Sequence, residues 1–114
     1  MREFEVRDGI PCRLQVEGTP VPLRTDAQLA LYRTTQEALT NVRKHSDATS
    51  VAVRLVWARR SVELTVEDEG WPKPSTASGG YGLTGIRERA ELVGGTLEAG
   101  PTEAGFRVRL RVSA

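Results

Sequence analysis

The chain has 114 residues, 39% hydrophobic and 27% charged, the composition of one small folded domain rather than of a disordered or fibrous segment. Lys and Arg number 16 against 15 Asp and Glu, a formal charge of +1, so the basic surplus that a nucleic-acid binder needs is missing. Apolar runs are too short for a membrane span, the first residues carry no apolar core of a signal peptide, and the single cysteine, Cys12, excludes an internal disulfide or a multi-cysteine metal site.

That cysteine usage points to a reducing compartment, and a cytoplasmic location is expected. Residues 1 to 9 are mostly charged and end in Gly9, which reads as the last turns of a helix with a glycine cap. On that reading 1–8 is the end of a preceding linker helix and 9–114 is the folded domain. Cys12, Leu14 and Val16 alternate with Arg13, Gln15 and Glu17, the pattern of a half-buried strand. After the Pro20 and Pro22 loop, Thr25 or Asp26 caps a helix that runs to about His45. Ala27, Leu31, Thr35, Ala38 and Val42 recur at helical spacing and are expected to form its buried stripe.

Val51, Val53, Leu55 and Trp57 share one side of the next strand, and Ala58-Arg59-Arg60 is a plausible connection to its hairpin partner. In that partner Val62, Leu64 and Val66 alternate with Glu63, Thr65 and Glu67. From Gly70 to Gly80 no periodicity survives, and a loop is expected, with Trp71 as a residue that packs when ligand is bound. Leu83, Ile86, Ala90 and Val93 mark a second helix, stopped by Gly94-Gly95. A short strand at Thr96 to Ala99 precedes a last strand, where Phe106, Val108, Leu110 and Val112 face the core and Arg107, Arg109 and Arg111 face solvent. The fold class is α+β, with helices on one face of a mixed, mostly antiparallel sheet.

Three segments carry chemistry. On the long helix Glu37, Asn41 and His45 fall at steps of four beside Lys44, in a band next to the apolar stripe. Glu37 and Asn41 offer the hard oxygen ligands that Mg²⁺ accepts, and Lys44 and His45 offer donors to phosphate, although a solvated helix face explains any one of them alone. Asp68 continues the phase of Val62, Leu64 and Val66, so its side chain points to the buried face, where a carboxylate needs donors. An exocyclic amine such as that of adenine is one such donor, with Gly70 admitting a flat group to the backbone; a carboxylate capping an Asp-x-Gly turn is the other reading. Gly79 to Gly85 runs into the second helix, where free N–H groups and the helix dipole favour an anion. No Gly-Lys-Ser/Thr follows, so it is not a Walker loop, and no strand precedes it as in a Rossmann unit. Together the three segments specify a nucleotide.

These segments resemble a known family. Glu37-Ala-Leu-Thr-Asn41-Val-Arg-Lys-His45 looks like the N box of the Bergerat-fold ATPases, which include sensor histidine kinases, type II topoisomerases, mismatch-repair ATPases and a heat-shock chaperone. Asp68-Glu-Gly70 resembles their first glycine box, and Gly80-Tyr-Gly82-Leu83-Thr84-Gly85-Ile-Arg-Glu-Arg-Ala90 resembles the second in the form found in histidine kinases of the nitrate-sensor type.

The resemblance implies a two-layer α/β sandwich that binds ATP between the N-box helix and a glycine-rich lid. It implies that Asn41 coordinates Mg²⁺, that Glu37 orients the metal or a water and acts as the base, and that Lys44 and His45 lie near the phosphates. Asp68 would bind the adenine amine with Gly70 permitting the contact, and Gly80, Gly82, Leu83, Thr84 and Gly85 would form the lid and triphosphate cradle. Two positions depart from the pattern. Pro72 replaces the second glycine of the first box, which stiffens the lid hinge. Phe106 follows Gly105 where a threonine often stands, which removes a hydroxyl contact to adenine.

The implied reaction is transfer of the γ-phosphoryl group to a histidine on a separate dimerisation domain of the same kinase, which passes it to a response regulator. No acceptor helix precedes residue 9, and His45 belongs to the N box, so the isolated chain is expected to bind ATP without phosphorylating itself. Neither nucleic acid nor a membrane surface is an expected partner. The alternatives are an anti-sigma-factor serine kinase of the same fold and a non-catalytic nucleotide-binding module.

Overall fold

The computed structural model describes residues 2–5, 11–45, 49–70, 83–103 and 105–113. Along the chain run β1 (Arg2–Glu5), β2 (Pro11–Glu17), α1 (Thr25–His45), β3 (Ser50–Trp57), β4 (Ser61–Glu69), α2 (Leu83–Leu92), β5 (Thr96–Pro101) and β6 (Phe106–Ser113). The strands form one sheet in the order β1-β2-β3-β4-β6-β5. Only β2 and β3 pair in parallel, and α1 makes the crossover between them, as a parallel pair requires. The remaining pairs are antiparallel, so the α+β sandwich with its mostly antiparallel sheet is the observed architecture.

Period-two patterning builds the sheet. Val51 and Val53 on β3, Val62, Leu64 and Val66 on β4, and Val108, Leu110 and Val112 on β6 are all buried and face one core. The register sets Val53 beside Val66, Val66 beside Val108 and Leu64 beside Leu110, so apolar side chains stack in rows across three strands. The opposite face is charged. Glu63 lies across from Arg111 and Glu67 from Arg107, Arg109 Nε stands 3.7 Å from Glu63 Oε1, and Arg54 Nε donates to Glu17 Oε2 at 3.1 Å. The arginine row is thus a solvated face interleaved with acids.

Both helices cover the apolar face: α1 packs on β4 and β6, α2 packs on β5, and the helices touch each other. The buried side of α1 is Ala27, Ala30, Thr34, Ala38 and Asn41, one residue out of phase with the stripe expected through Leu31 and Thr35. Small side chains let the helix approach the sheet closely, and Leu31 and Leu39 fill the margins. Thr35, half-buried, returns its hydroxyl to the Leu31 carbonyl at 2.8 Å. The helix also starts earlier than expected. The Arg24 carbonyl accepts from Gln28 N–H at 3.0 Å, so Thr25 and Asp26 lie inside the first turn, where the Asp26 carboxylate suits the dipole.

Three further expectations change. Arg2–Glu5 form a strand, not the end of a helix over 1–8, and pair antiparallel with β2 so that Phe4 lies beside Cys12; the alternation of Glu3, Phe4, Glu5 and Val6 carries that period. The proposed cap Gly9 lies outside the described residues. Val16 is 52% exposed despite its in-phase position. The strand expected at Thr96 to Ala99 runs on to Pro101. Cys12 is fully buried, and burial pushes its thiol up.

The stop at the end of α2 is a Schellman turn. Gly95 N–H donates to the Ala90 carbonyl at 2.8 Å and Gly94 N–H to the Glu91 carbonyl at 3.0 Å, with Gly94 at φ 73°. The two glycines are needed for different reasons. A Cβ on Gly94 meets only open space, whereas one on Gly95 would sit 2.7 Å from the Arg111 carbonyl oxygen and 3.0 Å from Val112 Cγ1. Gly94→Ala should therefore cost about 1 kcal/mol through backbone strain alone, and Gly95→Ala about 1–3 kcal/mol through forced repacking. Urea denaturation of the two variants should rank them in that order.

Candidate functional site

The topology brings Asn41, Asp68 and Gly70 to one end of the sandwich. The last turns of α1 lead through four residues into the start of β3. There Val51 lies beside Asp68, the penultimate residue of β4. The Thr49 N–H donates to the Glu69 carbonyl at 2.7 Å and holds this end together. The start of β6 reaches the same level, since Arg107 pairs with Glu67 and Phe106 comes one step further. The Schellman turn places the C-terminus of α2 at the opposite end, beside Arg111 and Val112, so the helix runs back with its N-terminus toward Asp68.

Thr34, Asn41 and Asp68 are the buried polar side chains among the described residues. Thr34 belongs to the interior of the stripe. The other two mark where the apolar face gives way to polar chemistry. Asn41 is 7% exposed and lies on the sheet-facing side of α1, within the stripe rather than beside it. Glu37, one turn earlier, is half-buried at the margin. Asp68 is 4% exposed, as the alternation of β4 predicted. Its Oδ1 accepts a hydrogen bond from the Phe106 N–H at 2.9 Å, so the sheet itself supplies a donor to the buried carboxylate. A carboxylate has two oxygens and accepts several bonds, and Oδ1 is the one engaged with β6. Gly70, just past β4, has φ 142°, a backbone that a side chain would strain.

The remaining predicted residues are placed less fully. Lys44 and His45 form the end of α1, and Leu83 and Thr84 open α2; their side chains lie outside the described residues, as do Trp71, Pro72, Gly80 and Gly82. Gly85 is the third residue of α2, exposed, and a Cβ there would meet no described atom within 4 Å. No packing demand within the described residues explains a glycine at that position of a helix, where it costs about 1 kcal/mol relative to alanine. Among the described residues no cluster of three His, Cys, Asp or Glu forms a metal cage, and no helix is long and apolar enough to cross a membrane.

Two participants were not among the predicted site residues: Gly105, noted only as the residue before Phe106, and Thr102, which no motif contains. Gly105 is buried against Asp68: a Cβ on it would overlap the Asp68 carbonyl oxygen and Oδ1 and lie 2.9 Å from the carbonyl carbon. Thr102 closes the turn that delivers Gly105, its Oγ1 accepting from the Gly105 N–H at 2.9 Å. The only signal in the sequence is a hydroxyl residue three positions before a glycine at the head of a strand.

The chain is thus an α/β sandwich with a polar end built from a helix terminus and a strand terminus. The family model of histidine kinase-, DNA gyrase B- and HSP90-like ATPases matches residues 26–114, and the chain belongs to that family. It is similar to the sensor histidine kinase LnrJ of Bacillus subtilis, 31% identical over 112 residues that cover 97% of this chain and 28% of that protein. The nitrate/nitrite sensor protein NarX of Escherichia coli is 31% identical over 105 residues, 90% of this chain and 18% of its own. Among solved structures, the ATP binding domain of PrrB from Mycobacterium tuberculosis superposes with a TM-score of 0.59 at 25% identity, covering 90% of this chain and 80% of that one. The chain is thus an ATPase domain of the kind that sensor histidine kinases carry, and it spans under a third of these two curated relatives.

The Asp68–Phe106 contact has a measurable consequence. Asp68→Asn keeps an acceptor oxygen for the Phe106 N–H and should change stability by about 1 kcal/mol or less, whereas Asp68→Ala removes that acceptor and should cost about 1–3 kcal/mol. Equilibrium unfolding of the two variants without nucleotide checks the difference.

Proposed function

We propose that this domain binds ATP with Mg²⁺ at the polar end of the sandwich and presents the γ-phosphoryl group to a histidine on a separate dimerisation domain of the same kinase. A response regulator then receives the phosphoryl group, and the reaction takes place in the cytoplasm. The ATP-binding unit takes in the whole sheet, β1 included.

The observation that carries this reading is the pair of buried polar groups, Asn41 and Asp68, at one end of a domain of the ATPase family. Asp68 accepts a hydrogen bond from the exocyclic amine of adenine, and Gly70 lets the base lie against the backbone. Asn41 would be the protein ligand to Mg²⁺, a cation that keeps several waters and takes few protein groups. The metal supplies charge neutralisation at the phosphates. Glu37, half-buried one turn away, would orient the metal or a water and serve as the base. Lys44, His45 and the segment Gly80, Gly82, Leu83, Thr84 and Gly85 hold the triphosphate. That no described atom would meet a Cβ on Gly85 fits close approach of an oxyanion to a helix N-terminus. Positioning and electrostatics of this kind provide most of the catalysis in phosphoryl transfer.

Two experiments test the proposal. Mixing the chain with Mg-ATP and a separately produced dimerisation domain should yield acid-labile phosphohistidine on that domain and none on the chain alone. Stable label on His45 would overturn the assignment. Asp68→Asn should weaken ATP binding by about ten- to a hundredfold, the equivalent of about 1.5–3 kcal/mol for a bond to a charged acceptor, and Asn41→Ala should abolish the gain in affinity that Mg²⁺ gives the parent. Titration calorimetry with a non-hydrolysable ATP analogue, with and without Mg²⁺, reads both.

A further inference from the structure

We propose that Thr102 is a positioning residue for base recognition: through the turn it forms with Gly105, it sets where the Asp68 carboxylate points. The proposal rests on the reading that Asp68 recognises adenine, and names what makes that recognition selective.

The inference follows from three hydrogen bonds and one missing atom. Thr102 N–H donates to the Gly105 carbonyl at 2.8 Å, and Thr102 Oγ1 accepts from Gly105 N–H at 2.9 Å. Thr102 therefore holds the peptide groups on both sides of Gly105. The peptide joining Gly105 to Phe106 is trans, since the chain has no cis bond among the described residues. In a planar trans peptide the C=O and N–H point in opposite directions. With its oxygen tied to Thr102, this peptide aims its N–H the other way, where it reaches Asp68 Oδ1 at 2.9 Å. The missing atom is the Cβ of Gly105, which would overlap the Asp68 carbonyl oxygen and Oδ1. Turn and carboxylate fit together only because residue 105 has no side chain.

One carboxylate oxygen is thereby fixed by the main chain, and the plane of the carboxyl group follows from it. A purine amine must meet a carboxylate at a defined direction as well as distance, because hydrogen bonds weaken steeply off line. A guanine, with a carbonyl where adenine has its amine, meets an acceptor held in place that cannot turn away. Phe106 lacks the side-chain hydroxyl that the family pattern often supplies, and a backbone N–H aimed by Thr102 orders the site in its place.

The test compares affinities of the chain for AMP-PNP and GMP-PNP, read as a ratio so that a smaller folded fraction cancels. The parent should prefer the adenine nucleotide. Thr102→Val keeps the shape and removes the acceptor, and should lower that preference by about three- to tenfold, the range set by one net hydrogen bond. Thr102→Ser should restore it. Gly105→Ala should lower it at least as far wherever that variant folds. In an Asp68→Asn background, Thr102→Val should change the ratio no further, since the two act as one unit. A purely structural role would lower the melting temperature of Thr102→Val and leave the ratio at the parental value, which would overturn this proposal while Asp68→Asn still lost the preference. A parental ratio in Asp68→Asn itself would overturn the base-reading assignment and this proposal with it.

Discussion

The structure depends on a carboxylate buried at the end of an otherwise apolar strand face. A charged group in that position is costly unless donors meet it, and the Phe106 N–H meets it from the neighbouring strand. That contact restricts much else. It requires the β4–β6 register, because a slip of one residue would turn Asp68 to the charged face and bring a glutamate inward. It requires glycine at position 105. It requires a turn between β5 and β6 that brings the Phe106 peptide in with its N–H toward β4. Sheet register, turn chemistry and one acidic side chain form a single constraint.

The helix layer answers the same constraint from above. Close approach of α1 depends on Ala27, Ala30, Thr34 and Ala38, each nearly inaccessible to solvent. A bulkier residue at any of these positions would lift the helix and with it Asn41, which lies on the same buried side. The polar site is therefore positioned by the apolar core: the same row of small side chains that seats the helix also determines the depth of the amide at its end. This separates the two buried groups by origin. Asp68 accepts a hydrogen bond within the sheet, and packing of the helix sets the depth of Asn41.

Strands whose two sides differ sharply were legible in the sequence. Val62, Leu64, Val66 and Asp68 stood in one phase, and the structure buries all four; the glycine stop after α2 was equally plain. The helix stripe was legible only to within one residue, because a large Leu31 outweighs a small Ala30 or a hydroxyl-bearing Thr34 when positions are ranked by hydrophobicity, whereas close packing on a sheet selects for size. The strand at Arg2–Glu5 was masked by its charges, which an edge strand tolerates. The motifs located Asp68 and Asn41 but gave no sign of Thr102, whose contribution passes through main-chain groups that a side-chain pattern does not register. Phe106 shows the same limit from the other side. Read by its side chain it is a loss of a hydroxyl, and in the folded protein its backbone supplies a hydrogen bond to Asp68.

The balance of charge follows from the layering. A two-layer sandwich leaves one side of its sheet to water, and here that side carries Arg107, Arg109 and Arg111 with Glu63 and Glu67 on the adjoining strand. Opposite charges in neighbouring strands stabilise the pairing modestly and leave little net field. A row of arginines that looks like an anion-binding stripe along one strand is thus neutralised across the sheet, in keeping with a chain of charge +1. This face of the sheet therefore presents no broad basic surface among the described residues. On the function proposed above, binding would draw on local donors at the ends of the helices and on the metal, and specificity for the base would fall to Asp68, the one carboxylate among the described residues that the sheet keeps out of water.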